Sequence, residues 1–198
     1  SRIVYELYPK DLTGEKIVIT AGGTREMIDP ARYLSNPSSG KMGYAIAEAA
    51  HLRGAEVTLI SAPTHLEASP GIKVIPVIST DNMYQAIVDE FEDADVVIKA
   101  AAVADYTPVN PENQKLKKKS GNLSIEFKRT RDILAYLGNN KKEGQLVIGF
   151  AAETQNLIDN AKKKLKKKNA DLIVLNDISE KSSGFGTDTN KVTLITSD

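Results

Sequence analysis

The sequence contains no cysteine and no tryptophan, and only two of its 198 residues are histidine. Without cysteine the chain has no disulfide, thiolate metal site or cysteine nucleophile. His51 and His65 fall on different predicted elements without a plausible ligand set, so we predict no zinc site. No apolar run approaches the roughly 20 residues of a membrane helix, and the N-terminus lacks a signal-peptide pattern. We therefore expect a cytoplasmic protein.

The sequence also lacks net charge, because 26 Lys and Arg residues balance 26 Asp and Glu residues. No overall field attracts nucleic acid or an acidic membrane. The positive charge is concentrated in KLKKK at 115–119 and KKKLKKK at 162–168. Neither run has the interleaved aromatic residues of a nucleic-acid surface. We predict neither a nucleic-acid partner nor a membrane partner.

Strand-like and helix-like segments alternate along the chain, which is typical of a mostly parallel sheet with helices on both faces. We predict an approach segment over 1–15 and a single nucleotide-binding domain over 16–198. The predicted strands are 16–21, 55–61, 72–79, 95–102, 145–152, 171–177 and 191–197, and the predicted helices are 40–54, 80 or 81 to 91, 131–137 and 154–168.

The stretch from 104 to 127 interrupts this alternation. It is first polar and rich in turn residues, then rich in lysine, and strand-like at 123–127. This composition predicts a β-flap inserted into the fold rather than a linker between domains.

Small residues follow several predicted strands, at Gly22-Gly23-Thr24, 101–105 and 150–153. Ligands of open α/β sheets bind beyond the carboxyl ends of the strands, and small residues let a flat ligand approach the backbone. A single such end would only ease a turn. Several together favour a cleft.

The long loop after the first strand ends in SSGKMG, which places Ser38, Ser39 and Gly40 just before a helix. Free backbone N–H groups and the helix dipole favour an anion there, although serine is also an ordinary N-cap. The segment is not a Walker A loop, because Met42 replaces the Ser or Thr that binds magnesium.

A dinucleotide-binding oxidoreductase is the first alternative. The sequence has no G-x-G-x-x-G after the first strand, and no acidic residue ends the second strand. No tyrosine has a lysine four residues later, as a short-chain dehydrogenase needs. These absences disfavour hydride transfer.

The basic helix at 154–168 has two kinds of lysine. Ile158, Ala161 and Leu165 form its predicted buried stripe. Lys164 and Lys168 flank that stripe and could reach a polyphosphate, whereas Lys163 and Lys167 are predicted to face solvent. The lysines could equally form a solvated face that complements the helix C-terminus.

Taken together, several segments closely resemble phosphopantothenoylcysteine synthetase, which bacteria carry as the C-terminal half of a bifunctional coenzyme A biosynthesis protein. The matching segments are ITAGGTREMIDPARYLSNPSSGKMG, KAAAVADYTP followed by KLKKK, IGFAAET, the lysine pair at 164 and 168, and LIVLNDIS with GFGTDTNKV. The resemblance implies a Rossmann-like three-layer α/β/α fold, a homodimer and a ligase that uses CTP and Mg²⁺. It implies that 4′-phosphopantothenate is activated as an acyl-cytidylate, with release of pyrophosphate, and that cysteine then displaces CMP.

The resemblance also implies roles for individual residues. Asn36 would contact the acyl-cytidylate, and Lys115 would be the flap lysine of the first step. Asp105 would contact the nucleotide through ribose or through magnesium, although the metal ligands stay undefined. The remaining nucleotide-binding residues would be Gly23, Ser39, Gly40, Met83, Lys99, Ala100, Ala101, Asp132, Ile133, Phe150, Lys164 and Lys168, with Arg131 and Leu134 in a segment that aligns more loosely.

The resemblance does not extend to the flavin-dependent decarboxylase half of the bifunctional protein. The first 15 residues are too short to hold it, so we expect no FMN in this chain and a possible flavin domain in a longer parent. Two alternatives stay open, namely an NAD(P)-dependent oxidoreductase and a truncated, non-catalytic nucleotide-binding fragment.

Overall fold

The computed structural model describes residues 2–118, 120–153, 155–177 and 189–197. The helices are α1 (Arg2–Leu7), α2 (Lys41–Leu52), α3 (Thr80–Phe91), α4 (Ile133–Asn140) and α5 (Leu157–Lys168). The strands are β1 (Lys16–Ala21), β2 (Glu26–Asp29), β3 (Arg32–Leu34), β4 (Glu56–Ser61), β5 (Lys73–Pro76), β6 (Val96–Lys99), β7 (Tyr106–Pro108), β8 (Phe127–Arg129), β9 (Leu146–Glu153), β10 (Leu172–Asp177) and β11 (Val192–Ile195). No helix within these ranges is long and apolar enough to cross a membrane.

Seven strands form the central sheet in the order β11-β10-β9-β6-β1-β4-β5. All neighbouring strands are parallel except β10 and β11, which are antiparallel. Each predicted strand of the sheet is present, and Pro76 lies on an edge strand, where its missing N–H is tolerated. The mostly parallel α/β prediction is confirmed.

The sheet is buried on both faces. Along β1, Val18 belongs to a core cluster with α3, α4 and α5, whereas Ile17 and Ile19 belong to a second cluster with α2. This alternation follows from the period-2 side-chain geometry of a strand. The fold therefore has three layers, and both helix layers are anchored by continuous apolar side chains.

The segment between β1 and α2 is not the continuous loop that the sequence predicts. It contains the antiparallel hairpin β2–β3, with a register shift between Met27 and Asp29. Its strands have only four and three residues, too few for a clear alternating pattern. The Asp29 side chain stabilises the turn by accepting a hydrogen bond from the N–H of Ala31 at 2.8 Å.

Three local predictions are wrong. The sequence pattern predicts an apolar face of α2 made of Ala45, Ile46, Ala49, Ala50 and Leu52. In the structure the buried residues of α2 are Gly43, Ala47 and Ala50, and Ala45 and Ala49 are exposed. In α5, Ile158 is exposed, and Leu157 packs on the core beside Ala161 and Leu165 instead. The sequence predicts Thr80 or Asp81 as the N-cap of α3, but the N-cap is Ser79, which forms a reciprocal capping box with Asn82.

The predicted flap is a two-stranded antiparallel ribbon, β7–β8, which pairs Tyr106 with Arg129 and Pro108 with Phe127. Its second strand begins at 127, whereas the sequence predicts strand over 123–127. The approach segment contains the short helix α1.

Candidate active site

A cavity of about 1020 Å³ lies at the carboxyl ends of β6, β9 and β10. Its wall also includes the N-terminal end of α2, from Gly40 to Ile46, and the loop that carries Asn36. A crevice at the strand ends is where open α/β sheets bind ligands. Of the strand ends that predicted a cleft, 101–105 and 150–153 contribute residues 101–103, Asp105 and 150–152 to this cavity, whereas Gly22-Gly23-Thr24 lines neither described cavity.

A second cavity of about 450 Å³ adjoins the first. It is lined by the loop before α4, by the flap roots Tyr106 and Arg129, and by Lys168. Four residues line both cavities, namely Lys99, Val103, Asp105 and Lys164. The two cavities are therefore neighbouring compartments of one site.

Most of the sequence-predicted residues meet in these compartments. The larger cavity is lined by Asn36, Ser39, Gly40, Lys99, Ala100, Ala101, Asp105, Phe150 and Lys164. The smaller cavity adds Arg131, Asp132, Ile133, Leu134 and Lys168. Residues that are distant in sequence thus share one rim of the sheet.

Three predicted site residues lie elsewhere. Met83 is fully buried in the core of α3 and lines neither cavity, so it has no surface for a nucleotide. Lys115 is an exposed flap residue that also lines neither cavity. Lys119 and most of the GFGTDTNKV motif, residues 184–188, lie outside the described residues.

Gly23 is the third predicted site residue that lines neither cavity. It packs instead against the loop that carries Asn36. A Cβ atom at Gly23 would lie 2.8 Å from the backbone oxygen of Asn36 and 3.2 Å from the Ser35 hydroxyl. Only glycine allows this close approach of the two chains. Asn36 itself is exposed to the cavity, and its Nδ2 donates a hydrogen bond to the backbone oxygen of Val103 at 3.1 Å.

The SSG turn presents the N-terminus of α2 to the larger cavity. Gly40 is the N-cap in a left-handed conformation (φ +79°), and no side chain caps the helix. The Ser38 and Ser39 hydroxyls instead accept hydrogen bonds from the N–H groups of Gly40 and Lys41, at 3.3 and 3.4 Å. The alternative of serine as N-cap is therefore wrong, and the helix terminus suits an anion.

A buried polar network that the sequence did not reveal fixes the 101–105 segment. The Glu26 carboxylate accepts hydrogen bonds from both the N–H and the hydroxyl of Thr80, each at 2.8 Å. The Thr24 hydroxyl lies 3.2 Å from that of Thr80 and accepts from the N–H of Ala104 at 2.9 Å. This network holds the residue next to Asp105. A threonine after the glycine pair is its only sequence signal.

Lys99 lies between the two cavities and is partly buried. Burial, reinforced by the nearby charge of Lys164, lowers the pKa of Lys99 to about 8, although Asp132 and Asp105 oppose the shift. A bound anion would offset the free-energy cost of burying the charged Lys99 ammonium group. The site is therefore electrostatically prepared for a negatively charged ligand.

The basic helix reaches the site through the two lysines that were predicted to do so. The Lys164 ammonium donates to the backbone oxygen of Phe150 at 2.8 Å, and Lys168 forms an ion pair with Asp132. Burial alone would raise the pKa of Asp132, but the hydrogen bonds from Lys168 and the N–H of Ala135 hold it below its usual value. Lys163 and Lys167 are exposed, as predicted.

The larger cavity also contains unsatisfied acceptors. Within the described ranges, the buried side-chain oxygens of Asn176 and Asn190 have no hydrogen-bond partner, and both residues line the cavity. Within the same ranges, no group of three His, Cys, Asp or Glu residues could hold a metal ion. A cation here would need oxygens from its ligand as well as from Asp105.

The sequence of the chain matches a known protein family and several known proteins. Residues 12–198 match the family described as the DNA/pantothenate metabolism flavoprotein C-terminal domain. The chain is 52% identical over 188 residues to the coenzyme A biosynthesis bifunctional protein CoaBC of Bacillus subtilis (strain 168), covering 94% of this chain and 46% of that protein. It is 49% identical over 187 residues to a cysteine/cysteine sulfinic acid decarboxylase from an unknown prokaryotic organism, covering 94% and 52%.

Among solved structures, the crystal structure of the C-terminal domain of CoaBC superposes with a TM-score of 0.78 at 47% identity. That match covers 94% of this chain and 83% of the other. The chain spans about half the length of the curated relatives it matches.

Proposed function

Because the chain belongs to the family of DNA/pantothenate metabolism flavoprotein C-terminal domains, we propose that it is a phosphopantothenate–cysteine ligase of coenzyme A biosynthesis. One observation carries this proposal most directly. Asn36, Asp105 and Lys164 come from three separate regions of the chain and line a single cavity. That cavity continues into the compartment of Asp132 and Lys168, which gives room for a nucleotide and an acid together.

The proposed reaction has two steps. The carboxylate of 4′-phosphopantothenate attacks the α-phosphate of CTP, the bond to the β-phosphate breaks, and pyrophosphate leaves. The amine of cysteine then attacks the acyl carbon, loses a proton, and CMP leaves with the electron pair of the acyl–oxygen bond. The first step is needed because a free carboxylate is a poor acyl donor.

The residues of the site suit both steps. Lys99, Lys164 and Lys168 supply positive charge where a polyphosphate would lie, and the N-terminus of α2 offers backbone N–H groups to an anion. Asn36 would donate a hydrogen bond to charge that develops near the activated carboxyl. Lys115 would approach from the flap during pyrophosphate release.

We also propose that Mg²⁺ accompanies CTP. Magnesium is usually held by one or two carboxylates together with substrate phosphates, rather than by a cage of protein ligands. Asp105 lines both cavities and is the carboxylate that fits this role. The ion would neutralise phosphate charge when bound.

We further propose that the protein is cytoplasmic and forms a homodimer. Size-exclusion chromatography with light scattering tests the homodimer by measuring its molar mass.

The proposal is tested by measuring pyrophosphate release with each of the four nucleoside triphosphates, with and without 4′-phosphopantothenate. We expect release with CTP that requires the acid, followed by CMP release when cysteine is added. CTP binding without pyrophosphate release would instead favour a non-catalytic nucleotide-binding fragment. Tight NADH binding without CTP binding would favour an oxidoreductase.

A further inference from the structure

Asp29, the last residue of β2, is a buried carboxylate that lines neither cavity. One oxygen accepts a hydrogen bond from the N–H of Ala31 at 2.8 Å, within the hairpin turn. The other accepts from Nε and Nη2 of Arg32, at 2.9 and 2.6 Å, and from the N–H of Leu116 at 3.0 Å. A carboxylate with this many donors is more than a turn residue, because one donor comes from the flap, 87 residues later in the chain.

Leu116 is bound through both of its backbone polar groups. Its N–H donates to Asp29, and its carbonyl oxygen accepts from Nη2 of Arg32 at 2.7 Å. A second connection lies nearby, where the N–H of Glu112 donates to the backbone oxygen of Ile28 at 2.9 Å. The segment 112–116 of the flap is therefore held on the hairpin, rather than extending freely into solvent.

This anchor is charged at neutral pH. Burial alone would raise the pKa of Asp29, but the hydrogen bonds from Ala31, Arg32 and Leu116 lower it to about 2. A charged acceptor makes stronger hydrogen bonds than a neutral one. The Asp29 carboxylate is thus charged at neutral pH, and its hydrogen bond from the flap is charge-assisted.

The residue before Leu116 is Lys115, whose side chain is exposed. The anchor fixes the backbone beside Lys115, and the Lys115 ammonium group takes no part in it. Lys117 and Lys118 follow directly, and their mutual repulsion would spread an unanchored flap over many conformations. Restricting the backbone at 116 reduces the entropy lost when Lys115 meets an anionic ligand.

We propose that Asp29 is a positioning residue that acts through Leu116 on Lys115, and so controls the pyrophosphate-releasing step. This inference rests on the proposed function.

The first test measures the flap without any substrate. In Asp29→Asn, we expect backbone amide exchange over 112–118 to be about tenfold faster or more, because a hydrogen bond to a charged group is lost. Asp11→Asn is the matched control, since Asp11 also accepts two hydrogen bonds from one arginine, Arg53, at 2.9 and 2.6 Å. Unchanged amide exchange over 112–118 in Asp29→Asn would contradict the proposal that Asp29 anchors the flap backbone.

The second test is a double-mutant cycle with Lys115→Gln. If Asp29 acts through Lys115, Asp29→Asn slows pyrophosphate release by about tenfold in the wild-type background and by little in the Lys115→Gln background. Amide formation from preformed acyl-cytidylate should keep its rate in Asp29→Asn. Equal slowing in both backgrounds, or equal slowing of both steps, would show a general structural role and reject the inference.

A second variant makes the cycle independent of the hairpin. Leu116→Pro removes the N–H that donates to Asp29 without changing the sequence of β2 or β3. It should reproduce the effect of Asp29→Asn on pyrophosphate release, even if Asp29→Asn folds poorly. A wild-type chain that releases no pyrophosphate from any nucleoside triphosphate would overturn the proposed function, and amide exchange alone would then decide whether the anchor exists.

Discussion

Asn36 joins two loops at the rim of the larger cavity, because its amide donates to the backbone oxygen of Val103 at 3.1 Å. Aspartate at this position would set a carboxylate oxygen against a carbonyl oxygen and would remove the donor. We expect Asn36→Asp to slow amide formation on the order of 10²-fold, as for the loss of one donor to a developing charge, with little change in nucleotide binding. Stopped reactions that separate acyl-cytidylate from product measure the two steps.

Asn140→Asp is the matched control for this substitution. The Asn140 amide also donates to a backbone oxygen, that of Tyr136 at 2.8 Å, and Asn140 lines neither cavity. The rate of amide formation in the Asn140→Asp variant should equal that of the wild type. Unchanged amide formation in Asn36→Asp would remove Asn36 from the proposed reaction.

Lys99 couples ligand binding to stability. Its pKa in the folded chain is about 8, mainly because of burial, against an ordinary value of 10.5. Between these values the unfolded chain binds more protons, so the free energy of unfolding rises with pH as Lys99 loses its charge. Below pH 8 the buried charge destabilises the free chain. We therefore expect Lys99→Met to raise the melting temperature at pH 7 and to weaken CTP binding.

The pH dependence separates this effect from a general change in packing. The stability advantage of Lys99→Met over the wild type should shrink between pH 8 and pH 10.5, and CTP affinity of the wild type should fall as pH rises through about 8. Lys163→Met, on the exposed face of α5, serves as the control. A constant stability difference from pH 7 to pH 10.5 would contradict the assignment.

At the scale of the elements, α4 and α5 cross so closely that only glycine fits at Gly138. A Cβ atom there would lie 1.8 Å from the backbone oxygen of Lys168, and Asn169 Nδ2 already donates to the Gly138 oxygen at 2.7 Å. This crossing sets the end of α5, and with it the ion pair between Lys168 and Asp132. Packing of two helices thereby determines the shape of the smaller cavity.

We expect Gly138→Ala to destabilise the chain by about 1–3 kcal/mol, as overpacking does. At an exposed position in a helix, Gly→Ala raises the free energy of unfolding by roughly 1 kcal/mol. A decrease at Gly138 would therefore identify the contact between α4 and α5 as the cause. Asn139→Ala, at the next and exposed position, should have little effect. Urea unfolding measures all three proteins, and a Gly138→Ala variant as stable as the wild type would contradict the crossing.

The sheet was largely predictable from the sequence because its strand segments are rich in apolar residues and alternate with helix-like segments whose ends are recognisable. Gly54, for example, follows α2 in a left-handed conformation (φ +94°), as a helix stop requires. The hairpin β2–β3 was not predictable, because its stability comes from Asp29 and from flap contacts at a distance of 87 residues rather than from local pattern. Periodicity reports only the local part of a fold.

The site was predictable in composition but not in arrangement. Asn36, Asp105, Lys164 and Lys168 follow from motifs, and the structure brings them to adjoining cavities. Met83 was misassigned because a buried helix residue and a ligand contact are both apolar in sequence. The Glu26–Thr80 hydrogen bonds were missed because polar residues 54 positions apart give no shared pattern.

At the scale of the whole molecule, the three-layer fold is shared by nucleotide-binding proteins with different chemistry, so the turn after β1 decides between them. In a dinucleotide-binding fold the glycine-rich turn leads directly into a helix that binds pyrophosphate. Here the hairpin β2–β3 separates Gly22 from the start of α2 at Lys41. This arrangement disfavours NAD(P) binding and supports a nucleoside triphosphate as the ligand.

Ligand-induced stabilisation tests this choice on the intact chain. A ligand at 100 times its dissociation constant adds about 2.7 kcal/mol, which raises the melting temperature of a chain of this size by roughly 5–10 °C. We expect CTP with Mg²⁺ to produce this shift, Lys168→Met to reduce it, and Lys167→Met, on the solvated face, to leave it unchanged. NADH should give no shift. A shift with NADH and none with CTP would mean that the adjoining cavities bind a dinucleotide, and the proposed ligase chemistry would fail with it.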